Sequence, residues 1–532
     1  MDHPPTTPPA LAPISSASGR IRALWSFDGR YRILHLTWMA FFLSFVVWFN
    51  FAPFSATIGA QLGFSQSQLV TLALCNVALT VPARILIGML LDRFGPRRVY
   101  SGILVYAAVP CLVFATASSF SVLVVSRLLL GIVGAGFVVG IRMVAEWFPP
   151  KEVGLAEGIY GGWGNFGSAA AAFCLPIAAG VAGGDAGWRW AIATTGLVAA
   201  GYGLYYWRSV TDTPEGVTYL RPRRQGALEV TSRRAVWGLA ALTVPLVGVL
   251  ALLAWRIAEV DVLSGTGLAV TSVALLALLV VQLRAVVRVN RTALAGGYPA
   301  EDQYPFRSVA VLSVAYFCTF GSELAVVSML PTFFADTWDL GPSLAGAMAS
   351  AFAFMNLVSR PAGGLLSDLL GSRRRTLAAL LVGLTVGYGA MALLGSAWPV
   401  PLAMLVVMGC SFFVQSGEGA VYAIVPLVKK RVSGQIAGMA GAYGNVGAVV
   451  FLTVLLYAPP SVFFLVIAAA SVVAAVACRW LPEPEASFAD DLLVDISDPP
   501  VPAAEVAGIP GTPAARPAVG GGPLVSTRRS SG

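Results

Sequence analysis

The stretch CNVALTVPARILIGMLLDRFG, residues 75–95, places an arginine in an apolar run, and AFMNLVSRPAGGLLSDLLG, residues 353–371, repeats that arrangement. In each copy a glycine follows the arginine by four residues and an aspartate follows it by eight, and one offset of 276 residues relates the copies. The matched residues are Arg84, Gly88 and Asp92 in the first copy and Arg360, Gly364 and Asp368 in the second. A charge in hydrocarbon costs about 2.5–3.5 kcal/mol even on lenient scales, and such residues are functional by default. The pair therefore indicates a central anion site; the alternative is two structural arginines, each bonded to a carboxylate or a carbonyl.

The composition indicates an integral membrane protein. Of 532 residues, 57% are hydrophobic and 11% are charged, and the mean hydropathy is +0.77; charged residues make up about a quarter of a soluble domain. The net charge of +8 comes from basic loops between apolar runs, so it does not indicate nucleic acid. Two histidines, and six cysteines in or beside apolar runs, indicate neither a metal site nor a disulfide framework. We expect no cofactor and no enzymatic activity.

Apolar stretches long enough to cross a bilayer recur along most of the chain. Six are predicted at 34–55, 68–90, 99–118, 122–146, 155–181 and 188–207, and six more at 308–334, 343–367, 376–396, 400–424, 435–457 and 460–480. Two further runs, 235–255 and 267–287, lie between these groups. The pattern predicts an all-α membrane protein in which two six-helix bundles flank an inserted helix pair, about 14 spans in all.

The same pattern divides the chain into five parts. They are an N-terminal tail (1–33), a first bundle (34–215), a linker that contains the extra pair (216–307), a second bundle (308–481) and a C-terminal tail (482–532). The last part is rich in proline, glycine and acidic residues and is expected to be disordered. Arginine and lysine concentrate in alternate loops, and the loops between them are nearly bare. The positive-inside rule then predicts that both tails face the cytoplasm. We expect the protein to lie in the cell (inner) membrane as a multi-pass protein.

A glycine ladder with an asparagine also occurs twice. The segments are GIYGGWGNFGSA, with Gly158, Gly161, Gly164 and Gly167, and GMAGAYGNVGAV, with Gly438, Gly441, Gly444 and Gly447. Glycines three apart leave a ridge without side chains, on which another backbone can pack closely and slide. Asn165 and Asn445 occupy matching places, offset by 280 residues. Each amide can donate to an oxyanion or orient an arginine; close helix packing alone accounts for the glycines but poorly for two matched asparagines.

These motifs resemble those of a known family. GMLLDRFGPRR (88–98), with its second copy GGLLSDLLGSRRR (363–375), resembles the signature loop of the major facilitator superfamily, although Leu369 stands where the first copy has Arg93. The doubled G-x-G-N-x-G element with an arginine in the second and eighth spans is similar to the nitrate/nitrite porter family of that superfamily, in its bacterial nitrate permease branch. The resemblance covers about 34–215 and 308–480, and it implies the major facilitator fold.

The resemblance also implies roles for individual residues. In the family two arginines clamp a planar anion, here Arg84 and Arg360, and a guanidinium fork suits two oxygens of such an ion. The matching aromatic and amide positions are Phe45, Phe137, Tyr316, Phe320, Asn165 and Asn445. Positions that govern conformational change are Gly88, Asp92, Arg93, Arg97, Gly161, Gly164, Gly167, Gly364, Asp368, Gly441, Gly444 and Gly447. The aromatic residues would otherwise pass for core or lipid-facing side chains.

Four ionisable residues in the apolar runs are candidates for proton coupling. Arg142 and Glu146 are four residues apart, which also fits a buried ion pair on one helix face. Glu323 follows Tyr316 and Phe320 on the seventh span, Glu418 lies in the tenth, and neither has a basic neighbour within one turn. Some antiporting members of the family lack acidic residues near the site, so this departure favours proton symport.

The sequence therefore predicts a carrier of nitrate, or nitrite, that works by alternating access and proton-coupled uptake in the lipid bilayer. Its expected partners are the inorganic anion, protons and lipid, and no nucleic acid. Nitrate/nitrite exchange without protons is one alternative. A membrane sensor that binds the anion without moving it is another, and an exporter of organic anions would need a wider apolar cavity.

Overall fold

The computed structural model describes residues 16–184, 186–299, 302–484 and 487–489. Within these residues the first half of the chain forms ten α-helices: α1 (Ala17–Ala23), α2 (Gly29–Phe49), α3 (Ser55–Leu62), α4 (Gln66–Phe94), α5 (Pro96–Tyr106), α6 (Ala108–Thr116), α7 (Phe120–Leu130), α8 (Gly136–Trp147), α9 (Val153–Ala182) and α10 (Gly187–Ser209). The inserted segment forms α11 (Arg233–Glu259), α12 (Gly265–Val289) and α13 (Arg291–Ala295). The second half forms α14 (Phe306–Trp338), α15 (Pro342–Phe354), α16 (Asn356–Leu369), α17 (Arg373–Met391), α18 (Val400–Val428), α19 (Ser433–Tyr457) and α20 (Pro460–Ala477).

The predicted all-α architecture is confirmed, because every predicted span is helical. Eleven segments of the described residues are long and apolar enough to cross a membrane, and both inserted helices are among them. The three remaining predicted spans are α10, the α15–α16 pair and α17.

The first span differs most from its predicted bounds of 34–55. Helix α2 begins at Gly29, inside the predicted tail, because Arg30 is buried and forms an ion pair with Glu152 at 2.9 Å. It ends at Phe49, four residues before Pro53, whose ring and missing N–H are incompatible with a helix interior.

The predicted disorder of the C-terminal tail does not begin at residue 482. Glu483 accepts hydrogen bonds from the Arg373 and Arg374 backbone N–H groups at 2.7 and 3.2 Å. The Phe488 ring centroid lies 5.3 Å from the Arg373 guanidinium carbon. The predicted disorder at 490–532, like the first fifteen residues of the predicted N-terminal tail, lies outside the described residues.

Two pairs of helices make the most extensive contacts between the halves of the molecule. Helix α4 of the first half packs along α19 of the second, and α9 packs along α16. We call these the α4–α19 seam and the α9–α16 seam. Within the halves, α2 packs on α9 and α14 on α19, so the glycine ladders of α9 and α19 each touch both halves. We call the end of the bundle that carries Arg97 and Arg373 the basic end, and the other the bare end.

The inserted pair leans on one seam. Helix α11 packs against α4, α14 and α19, and the Tyr443 hydroxyl of α19 donates to the Leu242 carbonyl at 2.9 Å. Helix α12 packs mainly on α11, and only Ala285, Val286 and Val289 of it are buried. At the bare end, Arg256 donates to the Ser67 hydroxyl at 3.2 Å, so the α11–α12 turn and the start of α4 lie at the same end.

This arrangement predicts the accessibility of the turn between the inserted helices. Ser264→Cys should react with a membrane-impermeant thiol reagent added outside intact cells, because Ser264 is exposed at the bare end. The background is Cys174→Ser, since Cys174 is the exposed cysteine among the six. Gln225→Cys, exposed near the basic end, is the matched control and should react only after the cells are opened. Labelling of Ser264→Cys from the inside alone contradicts the topology.

Candidate functional site

The two intramembrane arginines each cross to the opposite half of the molecule. Arg84 Nη1 of α4 donates to the Gly441 carbonyl of α19 at 2.5 Å, and Arg360 Nη1 of α16 reaches the Gly161 carbonyl of α9 at 3.4 Å. Arg84 is 0% and Arg360 is 1% exposed. Each arginine therefore contacts the glycine ladder of the other half, and the doubled sequence pattern becomes a crossed pair of contacts.

Close packing of these backbones requires glycine at the contacts. A Cβ atom at Gly438 would lie 2.5 Å from the Arg84 carbonyl oxygen, and one at Gly158 would lie 2.6 Å from the Arg360 carbonyl oxygen. Further along the ladders, Gly164 and Gly167 meet Phe41 and Phe42 of α2, whereas Gly444 and Gly447 meet aromatic residues of α14. The ladders thus seat both the arginines and the aromatic side chains of the site.

Aromatic rings surround the guanidinium groups. The Phe137 centroid lies 5.5 Å from the Arg84 guanidinium carbon and 5.4 Å from that of Arg360, and the Phe320 centroid lies 5.0 Å from Arg84. Tyr316 lies parallel to Phe137 and Phe320, with interplanar angles of 1° and 4°, and its hydroxyl accepts from Arg360 Nη2 at 3.0 Å. These three predicted aromatic residues therefore lie at the arginine pair.

Two aromatic residues of this cluster, Tyr422 and Phe41, were not among the residues predicted from the sequence. Tyr422 of α18 stands edge-on to Phe137 and Tyr316, with centroids 4.8 Å away in both cases. Its position four residues after Glu418 is the signal that would have found it. Phe45 contacts Phe41 at 4.4 Å, and Phe41, one turn earlier on α2, is the residue that contacts Phe137 at 5.1 Å.

The matched asparagines lie one turn beyond the arginine contacts. Asn165 follows Gly161 by four residues, and Asn445 follows Gly441 by four. Both are buried, and the Asn445 amide donates to the Val77 carbonyl of α4 at 3.0 Å. Their Oδ1 atoms have no hydrogen-bond partner within the described residues. In the structure, Asn445 spans the α4–α19 seam beside Arg84.

The guanidinium of Arg84 is a buried cation that lacks a carboxylate partner among the described residues. Its Nε and Nη2 atoms also have no hydrogen-bond acceptor within those residues. A charged donor left without an acceptor in a dry site carries a large desolvation cost. An anion that enters here would satisfy those donors and balance the charge, so the geometry suits a small anion that accepts two parallel N–H bonds.

The two candidate carboxylates meet beside the second arginine. Glu418 Oε2 lies 2.6 Å from Arg360 Nη2 in an ion pair in which both groups are buried. Glu323 accepts from the Asn356 amide at 2.5 Å and from the Gln415 amide at 3.5 Å, and it is within interaction distance of Glu418. Of the two, Glu418 is thus the carboxylate that touches an arginine of the pair.

Arg142 and Glu146 lie away from the arginine pair, at the basic end. They form an i,i+4 ion pair at 2.7 Å, with no exposure of either side chain. Arg142 also donates to Ser433 Oγ at 2.6 Å, and Lys430 lies 3.2 Å from Glu146. The structure therefore contains the ion pair that the spacing allows, and Ser433 and Lys430 connect that pair to the second half of the molecule.

The two signature aspartates hold the seams together at the basic end. Asp92 accepts from the Gly434 and Gln435 N–H groups at 3.0 and 2.9 Å, so it caps the start of α19. Asp368 likewise accepts from Gly154 and Leu155 of α9 at 3.0 and 2.8 Å. A carboxylate at a helix N-terminus satisfies orphan donors and favours the positive end of the helix dipole. The basic end is therefore closed by two matched caps that cross between the halves.

The arginines of the first signature loop have local partners. Arg97 makes its hydrogen bonds within its own half of the molecule. Its backbone N–H donates to Asp212 at 2.7 Å, and its Nε donates to the Trp207 carbonyl at 2.6 Å. The Arg93 side chain lies over Phe94, 4.9 Å from the ring centroid. The hydrogen bonds of Arg97 hold the loop to its own half. In the second copy, Arg373 instead forms an ion pair with the signature aspartate Asp368 at 2.8 Å.

Comparison with known proteins identifies what the chain is similar to. The family model of the Major Facilitator Superfamily matches residues 37–295 and 312–498. The chain is 52% identical over 510 residues to the nitrate/nitrite transporter NrtP of Picosynechococcus sp., with 88% of this chain and 96% of that protein covered. It is 49% identical to NrtP of Nostoc punctiforme, with the same coverage, and 26% identical to nitrate transporter 2.1 of Chlamydomonas reinhardtii over 80% of this chain and 69% of that one.

Solved structures agree on the fold. The human organic anion transporter MFSD10 superposes with a TM-score of 0.58 at 14% identity, covering 85% of this chain and 100% of that one. The proton:xylose symporter XylE gives a TM-score of 0.56 at 14% identity, with 87% and 98% covered. At these identities the likeness concerns the fold alone.

The close approach of the seams predicts a steric effect at the signature glycine. In Gly88→Ala the new Cβ would lie 2.5 Å from the Gly434 carbonyl oxygen, so the α4–α19 seam has to move apart. Overpacking of this kind costs about 1–3 kcal/mol, and the apparent unfolding temperature of the purified protein should fall. Gly102→Ala on α5, where nothing lies within 4 Å, is the control and should leave it unchanged or higher. Equal effects of the two changes would show that the seam is not tight at Gly88.

Proposed function

The chain belongs to the nitrate/nitrite porter family of the major facilitator superfamily, and from this premise we propose that it carries nitrate, and nitrite, across a membrane by alternating access coupled to protons. The observation that carries the proposal is the crossed arginine pair inside an aromatic box. Arg84 has unsatisfied donors there, and Arg360 holds a carboxylate that an incoming anion can replace. The names of the relatives supply the substrate class.

The chemistry of the pocket suits a flat, singly charged anion. A guanidinium presents two parallel N–H groups that match two oxygens of a planar ion, and it is more weakly hydrated than an ammonium group. Phe137, Tyr316 and Phe320 supply nearly parallel ring faces beside the two guanidinium groups. Flat faces exclude tetrahedral phosphate by shape, and the net positive charge excludes neutral solutes.

The closed basic end supports alternating access. If the basic end faces the cytoplasm, as the arginine and lysine distribution favours, then the two aspartate caps close the cytoplasmic side of this conformation. Delivery of the anion to the cytoplasm would break both caps and separate α4 from α19 and α9 from α16. The glycine ridges would let these backbones slide, and the anion site lies between the halves that move.

Proton coupling is supported by the ion pair between Glu418 and Arg360. While Glu418 is ionised it occupies Arg360 Nη2, the donor that an anion needs. Protonation of Glu418 removes that competition, so a proton and an anion bind together. Glu323 lies within interaction distance of Glu418, and the two carboxyl groups can share the incoming proton. In the empty carrier the ionised Glu418 carboxylate offsets part of the arginine charge. This lowers the barrier to reorientation through a medium of low dielectric.

The arginine fork is tested by a change that keeps the charge. Arg84→Lys and Arg360→Lys should each lower the rate of nitrate uptake into proteoliposomes at least about tenfold, because lysine cannot supply two coplanar N–H groups. Arg98→Lys, on an exposed arginine of the basic loop, is the matched control and should transport normally. Uptake near the wild-type rate in either site variant rules out the clamp. A sensor would bind nitrate in the wild-type protein without accumulating it in the vesicles.

Coupling is tested by separating driven uptake from exchange. Glu418→Gln and Glu323→Gln are compared for uptake driven by a pH gradient and for nitrate/nitrite counterflow, in which the empty carrier never has to return. If the substituted residue serves coupling, its variant should lose uptake driven by the pH gradient and keep nitrate/nitrite counterflow. Full driven uptake in both variants contradicts the assignment. A wild-type protein that ignores the gradient would favour exchange without protons.

A further inference from the structure

Glu157 of α9 is a buried carboxylate that the arrangement described above does not use. It is 1% exposed, and neither carboxyl oxygen has a hydrogen-bond partner within the described residues. The other acidic side chains of the bundle interior have either a hydrogen-bond donor or an arginine within ion-pair distance: Asp92 and Asp368 accept from helix N-termini, Glu323 accepts from amides, and Glu146 and Glu418 form ion pairs with arginines. Glu157 differs from all of these.

The cations that surround Glu157 are already paired. Cysteines apart, the buried ionisable groups on the helices packed against α9 are Arg360 and Asp368 on α16, Glu418 and Tyr422 on α18, Arg142 and Glu146 on α8, Arg30, Tyr31 and His35 on α2, and Tyr206 on α10, with Tyr160 on α9 itself; Arg32 on α2 and Arg189, Tyr202, Tyr205 and Arg208 on α10 are exposed or half-buried. Arg360 pairs with Glu418 at 2.6 Å, Arg142 with Glu146 at 2.7 Å and Arg30 with Glu152 at 2.9 Å. Glu157 interacts with Arg360 only at longer range.

An ionised carboxylate in these surroundings would be costly. Moving such an ion from water into an unpaired buried position costs several kcal/mol even after the protein relaxes, and a group in that position takes up a proton instead. Glu157 is therefore neutral while the α9–α16 seam is closed.

The depth of Glu157 places it between the arginine pair and the basic end. It lies four residues into α9, about 6 Å from the start of the helix, and Gly161, which meets Arg360, lies about 6 Å deeper. The Asp368 cap on Gly154 and Leu155 closes the seam beyond it. Separation of α9 from α16 would remove this cap and admit water to Glu157.

We propose that Glu157 is the proton-release site of the carrier, neutral while the basic end is closed and ionised by loss of its proton to the cytoplasm when the α9–α16 seam opens. This inference rests on the proposed proton-coupled transport. The anion and the Glu157 proton leave together. After the seam closes again, the Glu418 carboxylic acid transfers its proton to the Glu157 carboxylate, and the ionised Glu418 pairs with Arg360. Tyr422, which lies within electrostatic reach of Glu157 and Arg360, is positioned along this path.

This cycle balances charge. Glu323 keeps the same charge throughout the cycle, and the loaded carrier otherwise holds two arginine cations, one anion and neutral Glu418 and Glu157. The empty carrier holds two arginine cations, one carboxylate and one carboxylic acid. The site therefore carries the same net charge on both crossings, and one proton accompanies each anion.

The test uses Glu157→Gln and Glu157→Asp in the full-length protein in proteoliposomes. Glu157→Gln should keep nitrate/nitrite counterflow within about twofold of wild type, since exchange needs no proton release, and lose the acceleration of uptake by an alkaline interior. Glu157→Asp retains a carboxyl group and should restore much of that acceleration. Glu152→Gln, a paired carboxylate five residues earlier, is the control and should stay sensitive to interior pH.

Each outcome decides. Interior-pH sensitivity in Glu157→Gln overturns the Glu157 proposal and leaves proton coupling intact, whereas an insensitive wild type overturns proton coupling itself. Loss of counterflow as well in Glu157→Gln means that the side chain serves the fold, which also overturns the proposal. The infrared spectrum provides a measurement independent of transport: the protonated-carboxyl band of the wild-type protein should shift in Glu157→Asp, and an unshifted band contradicts a neutral Glu157.

Discussion

Two contacts that cross between the halves determine the arrangement of the buried charges. Arg84 reaches the Gly441 carbonyl and Arg360 the Gly161 carbonyl, so each arginine is held by the glycine ladder of the other half. A guanidinium buried in the membrane is stable only where its N–H donors have acceptors and its charge is compensated. The glycine ladders, the aromatic box and the carboxylate beside Arg360 all serve that requirement. A motion that separates the halves therefore changes the surroundings of both charges together.

Much of the fold was predictable because its signals are local. Span length, the basic loops and the doubled motifs predicted the membrane helices, whereas the crossed pairing of like positions was not predicted and comes from the structure. The bounds failed where a polar side chain is satisfied through tertiary contacts, as with Arg30 at the start of α2, and where the chain beyond residue 482 packs on Arg373. A local pattern does not contain such partners.

The site was predictable in part for the same reason. The arginines, the asparagines and three aromatic residues stand out by repetition or by resemblance, and the structure brings the arginines and those aromatic residues together. Tyr422 is signalled only by its position four residues after Glu418, and Phe41 and Glu157 have no repeated counterpart and no motif, so only packing reveals those two. The sequence also could not show which of Glu323 and Glu418 meets an arginine, because the contact between Glu418 and Arg360 depends on how α18 and α16 face each other.

The inserted pair makes the two seams mechanically unequal. Helix α11 lies against both α4 and α19, and Tyr443 ties it to the second of these. Any separation of α4 from α19 has to drag α11 with one helix and shear it over the other. The α9–α16 seam carries no such brace from the inserted pair among the described residues. The sequence motifs occur twice, but the α4–α19 seam has an extra helix to move when it opens and the α9–α16 seam does not. The α4–α19 seam is therefore expected to need more work to separate.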